Sequence, residues 1–234
     1  MLGLANGLMS SAYNNWDPSN VSGGDLQIWF KNNFNVTAGA WRDQSPSGTF
    51  SAAQTTEANQ AIVVDGGLDF EGSSDHHYDL ANDLTIDAQE GFAIFLVVKV
   101  ESYDTQNALF GTGDNNVFME LMTDRRVRVK TDQGSTSSSY QAADAITTGQ
   151  KLIFTLQRED GSTGNINVYK NGVLLTPDSQ VANNGGFVLN SLGTRNADRY
   201  FDGIMYEVLV YTGGDLDAES IADVHNKLKI KFSI

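Results

Sequence analysis

The sequence contains no cysteine, and only 3 of its 234 residues are proline. The lack of cysteine excludes disulfide bonds, thiolate metal sites and a cysteine nucleophile, and it is compatible with synthesis in a reducing cytoplasm. The scarcity of proline beside 23 glycines favours many tight turns between antiparallel strands. The length suits one large β-sandwich.

Basic residues are also few. The chain has 15 Lys and Arg residues against 29 Asp and Glu, which gives a formal net charge of −14. Such an acidic chain repels nucleic-acid backbones and anionic membranes, so we expect neither as a partner. The longest apolar run, residues 92–98, is too short to span a bilayer. The first basic residue is Lys31, so the N-terminus lacks the basic region of a secretion signal.

Apolar and β-branched segments separated by turn residues predict a series of strands. The clearest is Phe92–Val100, and Asn171-Gly172 between two alternating segments predicts a two-residue hairpin turn. Further strands are predicted within residues 107–113, 117–122, 127–131, 151–158, 166–169, 173–175, 187–192 and 204–211. We predict an all-β, two-sheet antiparallel sandwich.

One helix is predicted near the C-terminus, where Leu216, Ile221, Val224 and Leu228 share one face. Acidic residues near its start and lysines near its end suit the helix dipole. Within the sandwich, the strand pattern predicts that a set of large side chains faces inward: Trp41, Phe70, Phe95, Val97, Phe154, Val168, Val208 and Val210.

Residues 1–24 have no sustained periodicity and are interpreted as an N-terminal arm, with residues 25–234 as the single domain. The arm carries apolar side chains that would form a sticky patch if exposed: Leu2, Leu4, Leu8, Met9, Tyr13 and Trp16. We expect this arm to dock on a partner protein. The alternatives are a frayed terminus or an arm that folds back on its own sandwich.

The order of several motifs resembles the laminin G-type, concanavalin A-like domains over roughly residues 26–232. They are Trp29, the stretch from Trp41 to Ser45, the stretch from Gly67 to Gly72, the strand Phe92–Val100, the Asn-Gly hairpin, Phe201-Asp-Gly203 and residues 207–211. The resemblance implies the jelly-roll fold.

Within that class, the stretch from Gly66 to Leu80 followed by residues 91–98 resembles the version found in virion proteins of tailed bacteriophages. This resemblance implies a non-enzymatic virion protein, made in the host cytoplasm, that decorates the head or joins the tail by contacts with other virion proteins. The alternative is a carbohydrate-binding module or a receptor-binding, lectin-like protein that contacts cell-surface glycan. Assembly as a homo-oligomer stays open.

Catalytic residues are not expected. Glucanases of this superfamily carry Glu-x-Asp-x-x-Glu on one strand, and the nearest pattern here is Asp69-Phe-Glu71. Period 2 places these two carboxylates on one strand face, which we interpret as solvated; a carboxylate pair or cation ligands is the alternative. The pair His76-His77 would point to opposite faces of a strand, which disfavours a shared metal ion there.

Two kinds of binding residue are predicted in loops. Aromatic platforms for a glycan are Tyr78, Tyr103, Tyr140 and Tyr200, although most tyrosines in a sandwich pack in the core. Oxygen ligands for calcium, the one cofactor considered, are Asp43, Asp114, Asp202 and Glu207. Many members of the resembled class have Asp before the glutamate of the last strand, where this chain has Tyr206, and that substitution weakens the calcium prediction.

Overall fold

Two antiparallel sheets face each other across a common core, which confirms the predicted sandwich. The computed structural model describes residues 16–103, 107–113, 117–131, 139–141, 146–182, 184–214 and 216–234, with only the backbone at 139–141. The arm residues Leu2, Leu4, Leu8, Met9 and Tyr13 lie outside this part of the chain.

The first sheet has eight strands in the described residues, in the order β15-β14-β13-β8-β18-β6-β5, with β1 also paired to β18. The strands are β1 (Asp25–Phe30), β5 (Ile62–Val64), β6 (Gly67–Phe70), β8 (Phe92–Val100), β13 (Lys151–Arg158), β14 (Ile166–Lys170), β15 (Val173–Leu174) and β18 (Gly203–Thr212).

The second sheet has ten strands in the same described residues, in the order β16-β12-β11-β10-β9-β17-β7-β4-β3-β2. The strands are β2 (Val36–Thr37), β3 (Ala40–Trp41), β4 (Ala52–Ala53), β7 (Tyr78–Ile86), β9 (Asn107–Gly111), β10 (Phe118–Leu121), β11 (Val127–Lys130), β12 (Ser139–Gln141), β16 (Pro177–Ser179) and β17 (Phe187–Leu192).

The predicted turn between β14 and β15 is confirmed. Asn171 and Gly172 have φ angles of 51° and 80°, the left-handed values that a tight two-residue hairpin needs. The Asn171 side chain also accepts the backbone N–H of Ile153 at 2.8 Å, so the turn is tied to the neighbouring strand β13.

The core has two layers, because the eight-stranded sheet is buried on both faces. Six of the predicted inward residues do lie between the sheets: Trp41, Phe70, Phe154, Val168, Val208 and Val210. Phe95 and Val97 are buried as well, but they belong to a second cluster on the outer face of this sheet. The prediction that they face the other sheet is therefore wrong, because neighbouring residues of β8 alternate between the two layers.

A helix, α1 (Ala218–Phe232), covers the outer face of the eight-stranded sheet. Its N-terminus is capped by the Asp217 carboxylate, which accepts the backbone N–H of Ser220 at 2.7 Å. This hydrogen bond lowers the pKa of Asp217 from its ordinary value. The predicted apolar face is confirmed, since Leu216, Ile221, Val224 and Leu228 are all buried in this layer. No helix within the described ranges is long and apolar enough to cross a membrane.

The described part of the predicted arm, residues 16–24, packs on its own domain. Trp16 and Val21 pack against the layer beneath α1. The Tyr211 hydroxyl donates to the carbonyl of Pro18 at 3.0 Å, and the Ser220 hydroxyl donates to that of Ser22 at the same distance. These contacts attach residues 16–24 to the domain and place Trp16 in internal packing, while the predicted arm of residues 1–24 stays a prediction.

Candidate functional site

A cleft of about 450 Å³ opens on the outward face of the ten-stranded sheet, between β7 and β17. Leu189 pairs with Leu84 and Ser191 pairs with Asp79, so residues 80–83 of β7 lie opposite Asn190 alone. Such an irregularity bends the strand and turns side chains away from their regular directions. The cleft is thus a consequence of a break in sheet register.

Hydrogen-bonding side chains dominate the wall of this feature, which we call the polar cleft. Six lining residues have side chains that could bind a ligand by hydrogen bonds: His77, Asp79, Asp83, Asn190, Thr194 and Asn196. Thr194 is 4% exposed, and its hydroxyl has no hydrogen-bond partner among the described residues. A buried hydroxyl without a partner costs about 1–3 kcal/mol, a cost that a hydrogen bond to this group would remove.

The loop after β17, residues 193–200, forms one wall of the cleft. It is held to the sheet by the Gly193 N–H, which donates to Leu109 at 2.9 Å, and by the Asn196 N–H, which donates to Thr112 at 3.2 Å. Asn196 and Ala197 have φ angles of 57° and 50°. For alanine this left-handed conformation is strained, and such strain clusters at ligand sites.

A buried ion pair fixes the same loop. The Arg195 guanidinium lies 3.8 Å from the centroid of the Phe118 ring and donates to the carboxylate of Glu120. Glu120 is fully buried, and Arg128 approaches the same carboxylate oxygen at 3.7 Å. Arg195 therefore anchors the loop to β10 at the position next to Thr194.

Two rings lie side by side at one end of the cleft. The Tyr200 and His77 ring centroids are 5.8 Å apart, and the Tyr200 hydroxyl donates to the Ala197 carbonyl at 2.8 Å. His77 Nδ1 lies 2.7 Å from the carbonyl of Asp75, and Nε2 lies 3.1 Å from Nε2 of Gln54. This pairing assigns the proton to Nδ1 and holds the imidazole in place.

Of the four predicted glycan tyrosines, Tyr200 alone lies beside the polar cleft in the part of the chain that the structure describes. Tyr78 is fully buried; its hydroxyl donates to Ala38 and accepts the N–H of Ala61 at 3.1 Å, and burial raises its pKa to about 12. The prediction for Tyr78 is wrong because the strand turns it into the core. Tyr103 lies in a separate depression, where it accepts a hydrogen bond from Arg125. The side chain of Tyr140 lies outside the described residues.

Two predicted calcium ligands are occupied by protein donors. The Asp43 carboxylate accepts the N–H of Trp29 at 3.0 Å, the N–H and hydroxyl of Ser45 at 2.9 Å each, and the N–H of Phe50 at 3.1 Å. Glu207 accepts the Trp29 indole N–H at 2.9 Å and pairs with Lys231 beneath α1. These carboxylates therefore already organise backbone and helix, and their predicted role as calcium ligands stays a prediction.

The remaining calcium ligands do not complete a site. Asp202 lies beside Gly72, and Asp114 falls outside the described residues. Within the described ranges, no group of three His, Asp or Glu residues could hold a metal ion.

The Asp69 and Glu71 carboxylates lie on the other sheet. Asp69 is half-buried on β6 between the buried residues Leu68 and Phe70, as period 2 predicts. Burial, together with the negative charges of Glu101 and Glu71, raises the pKa of Asp69 above its ordinary value. These carboxylates do not contribute to the wall of the polar cleft.

Sequence reasoning missed Asp79, Asp83, Asn190 and Thr194. One signal was present: along β7, Tyr78, Leu80, Leu84 and Ile86 alternate inward, and Asn82 interrupts that series. A polar residue at an expected core position indicates a bulge. The partner strand and the loop beyond it could not be identified from this signal.

The sequence matches one family model, that of the concanavalin A-like lectin/glucanases superfamily, over residues 71–222. No curated protein matches the sequence.

Solved structures share the fold at low identity. A Trypanosoma rangeli sialidase in complex with sialic acid is 14% identical with a TM-score of 0.56, covering 88% of this chain and 33% of its own. The binding domain of Paraclostridial Mosquitocidal Protein 1 is 14% identical with a TM-score of 0.58, covering 87% and 52%. Domain 4 of the Geobacillus stearothermophilus arabinanase AbnA, in complex with arabinotriose, is 19% identical with a TM-score of 0.50, covering 86% and 98%. The chain thus spans about a third of the sialidase.

Proposed function

Because the chain belongs to the concanavalin A-like lectin/glucanase superfamily, we propose that it binds carbohydrate in the polar cleft of its ten-stranded sheet and does not cleave it. The observation that carries this proposal is the Thr194 hydroxyl, which is buried in the cleft wall without a partner in the described part of the chain. A sugar hydroxyl that reached it would satisfy a group that the protein leaves unsatisfied.

The other cleft residues match the chemistry of a sugar. Asp79 and Asp83 supply acceptors, and Asn190 and Asn196 supply both donors and acceptors. His77 lines the cleft and the Tyr200 ring lies beside it at an interplanar angle of 42°, so a pyranose or furanose face could lie on one of the two rings. A few placed polar groups beside an aromatic surface are the usual composition of a small-ligand site.

The comparisons support the proposal at the level of fold. The structure of AbnA domain 4 is a complex with arabinotriose, and the Paraclostridial protein fragment is described as a binding domain. Arabinotriose is therefore a rational first probe for this chain, beside a wider panel of oligosaccharides.

The test is a binding measurement on an oligosaccharide array that includes arabinotriose, followed by titration of any sugar bound. Thr194→Val removes the hydroxyl and keeps the shape of the side chain. We expect it to weaken binding by roughly fivefold to tenfold, the value of one hydrogen bond, while leaving the melting temperature unchanged or higher. Thr85→Val, the same substitution at an exposed position of β7, is the matched control.

Equal affinity in both variants would place the sugar elsewhere. Release of new reducing ends from the bound sugar would overturn the non-enzymatic part of the proposal.

The virion role is a further proposal that rests on the sequence resemblance. A virion protein with a glycan-binding cleft would combine attachment to the particle with recognition of the cell surface. Its docking residues would be Leu2, Leu4, Leu8, Met9 and Tyr13. Deletion of residues 1–15 is expected to abolish incorporation into the particle and to leave sugar binding intact; incorporation at the normal copy number would refute this role for the segment.

A further inference from the structure

Resting on the proposed function, we propose that the polar cleft selects uncharged glycans and rejects those that carry carboxylate or sulfate groups. The charges that surround the cleft determine this selectivity.

The charged groups in the cleft wall are negative. Asp79 and Asp83 both line the cleft, and both are exposed. Among the described residues that line it, there is no lysine or arginine. Two carboxylates favour the hydroxyls of a neutral sugar, which donate hydrogen bonds to them, and repel a sugar carboxylate.

The positive charge of Arg195, which lies next to the cleft, is balanced by a carboxylate in the protein interior. Arg195 follows the cleft residue Thr194, yet only 12% of its side chain is exposed, and it pairs with the fully buried Glu120. A buried carboxylate depends on such a partner, because breaking the pair leaves an uncompensated charge in the interior. Turning Arg195 to an acidic ligand would therefore take from Glu120 the nearer of two arginines, since Arg128 lies 3.7 Å from the same carboxylate oxygen.

The second arginine of the loop is also beside a carboxylate. Arg199 lies 3.8 Å from Asp198, and both side chains are largely exposed. Each arginine of the loop thus has a carboxylate partner within the protein: Glu120, which Arg128 also approaches at 3.7 Å, pairs with Arg195, and Asp198 lies beside Arg199. The net charge of −14 for the whole chain adds repulsion of anionic ligands at longer range.

The experiment uses the full chain and matched neutral and acidic probes. The pairs are galactotriose with trigalacturonate, lactose with 3′-sialyllactose, and hydroxyethyl cellulose with carboxymethyl cellulose, on the same array that tests the proposed function. We expect binding to neutral members, with the acidic partner of each bound sugar at least tenfold weaker at low salt. Salt should narrow the difference, because it screens exposed charges.

Variants assign the selectivity to the cleft. Asp79→Asn and Asp83→Asn keep an oxygen acceptor and remove the charge, and each is expected to raise acidic relative to neutral binding by about fivefold, the effect of one unit charge at 4 Å in water. Glu219→Gln makes the same charge change at an exposed position of α1, on the other sheet, and should leave the ratio unchanged.

The outcomes separate this inference from the proposed function. Acidic probes that bind as tightly as their neutral partners, or Asn variants with an unchanged ratio, would overturn the selectivity while leaving glycan binding in place. Failure of every probe, neutral and acidic, to bind would overturn the proposed function and this inference with it.

Discussion

The imidazole of His225, on the sheet-facing side of helix α1, has its Nε2 2.7 Å from the hydroxyl of Thr155 on β13. The ring also packs edge-on against Phe95, with centroids 5.4 Å apart, and lies 5.8 Å from the Tyr169 ring. Burial, assisted by the positive charge of Lys229, lowers the pKa of His225 from 6.5 to about 4. Helix α1 therefore packs on the sheet through a neutral histidine.

This histidine predicts a loss of stability in mild acid. Between pH 6.5 and about 4, His225 binds a proton in the unfolded chain but not in the folded chain. The free energy of unfolding therefore falls as the pH falls. The total loss is roughly 3 kcal/mol for a shift of this size. Urea unfolding at pH 7, 6 and 5 measures it, and His225→Gln is expected to flatten the slope. An unchanged slope in that variant would show that other groups cause the acid sensitivity.

Replacement of Arg158 is expected to lower the free energy of unfolding by a large amount. Its guanidinium is fully buried and donates to the carbonyls of Asp87, Glu90, Thr131 and Gly185. Removing the donor takes a hydrogen bond from each of these carbonyls, of which that of Thr131 is buried, and a buried group left without a partner costs about 1–3 kcal/mol. We therefore expect Arg158→Met to lower the free energy of unfolding by roughly 3–5 kcal/mol, measured by chemical denaturation.

The control for that variant is Arg126→Met, which removes a surface arginine paired with Asp124 at 2.8 Å. Surface pairs of this kind are worth about 0–1 kcal/mol. Equal costs in the two variants would contradict the role given to Arg158.

The hydrogen bonds that the Asp43 carboxylate accepts predict that its loop keeps its structure without calcium. Its four hydrogen bonds come from Trp29, Ser45 and Phe50, and bonds to a charged group contribute about 1.5–3 kcal/mol each. We expect Asp43→Ala to cost roughly 3 kcal/mol equally in calcium and in EDTA, with Glu57→Ala as an exposed control. A melting temperature of the unchanged protein that rises in calcium and falls in EDTA would restore a calcium role.

Phe95 tests the second core layer. Phe95→Ala is expected to cost about 3–5 kcal/mol, because the ring is buried against Tyr211 and His225. Phe34→Ala makes the same change at a side chain that is 47% exposed and should cost far less. A small cost at Phe95, measured by thermal and chemical unfolding, would mean that α1 does not cover this face.

The parts of the fold that local pattern determines could be predicted from the sequence. The existence of strand β8, the Asn171-Gly172 turn and the apolar face of α1 each depend on residues close in the chain. The direction of Glu207 could not be predicted, because an irregularity in pairing between Met205 and Glu207 changes the strand phase and places Glu207 opposite Val97 in the helix-facing layer.

The candidate site was less accessible to sequence reasoning, since its parts come from distant segments. Asp79 meets Ser191 only through strand pairing, and Glu120 meets Arg195 across 75 positions. None of these contacts has a local period. Of the predicted sugar-contact residues, Tyr200 lies at the cleft because the loop after β17 folds back beside His77.

The most direct test of the central claim is to map where a sugar binds, by titrating the array-selected oligosaccharide into the ¹⁵N-labelled chain and following its backbone amide resonances. Glycan binding in the polar cleft predicts concentration-dependent shifts at Asp79, Asn190, Thr194 and Asn196, with the amides of α1 unmoved. Shifts confined to α1, or to the Asp69 face of the eight-stranded sheet, would contradict the account.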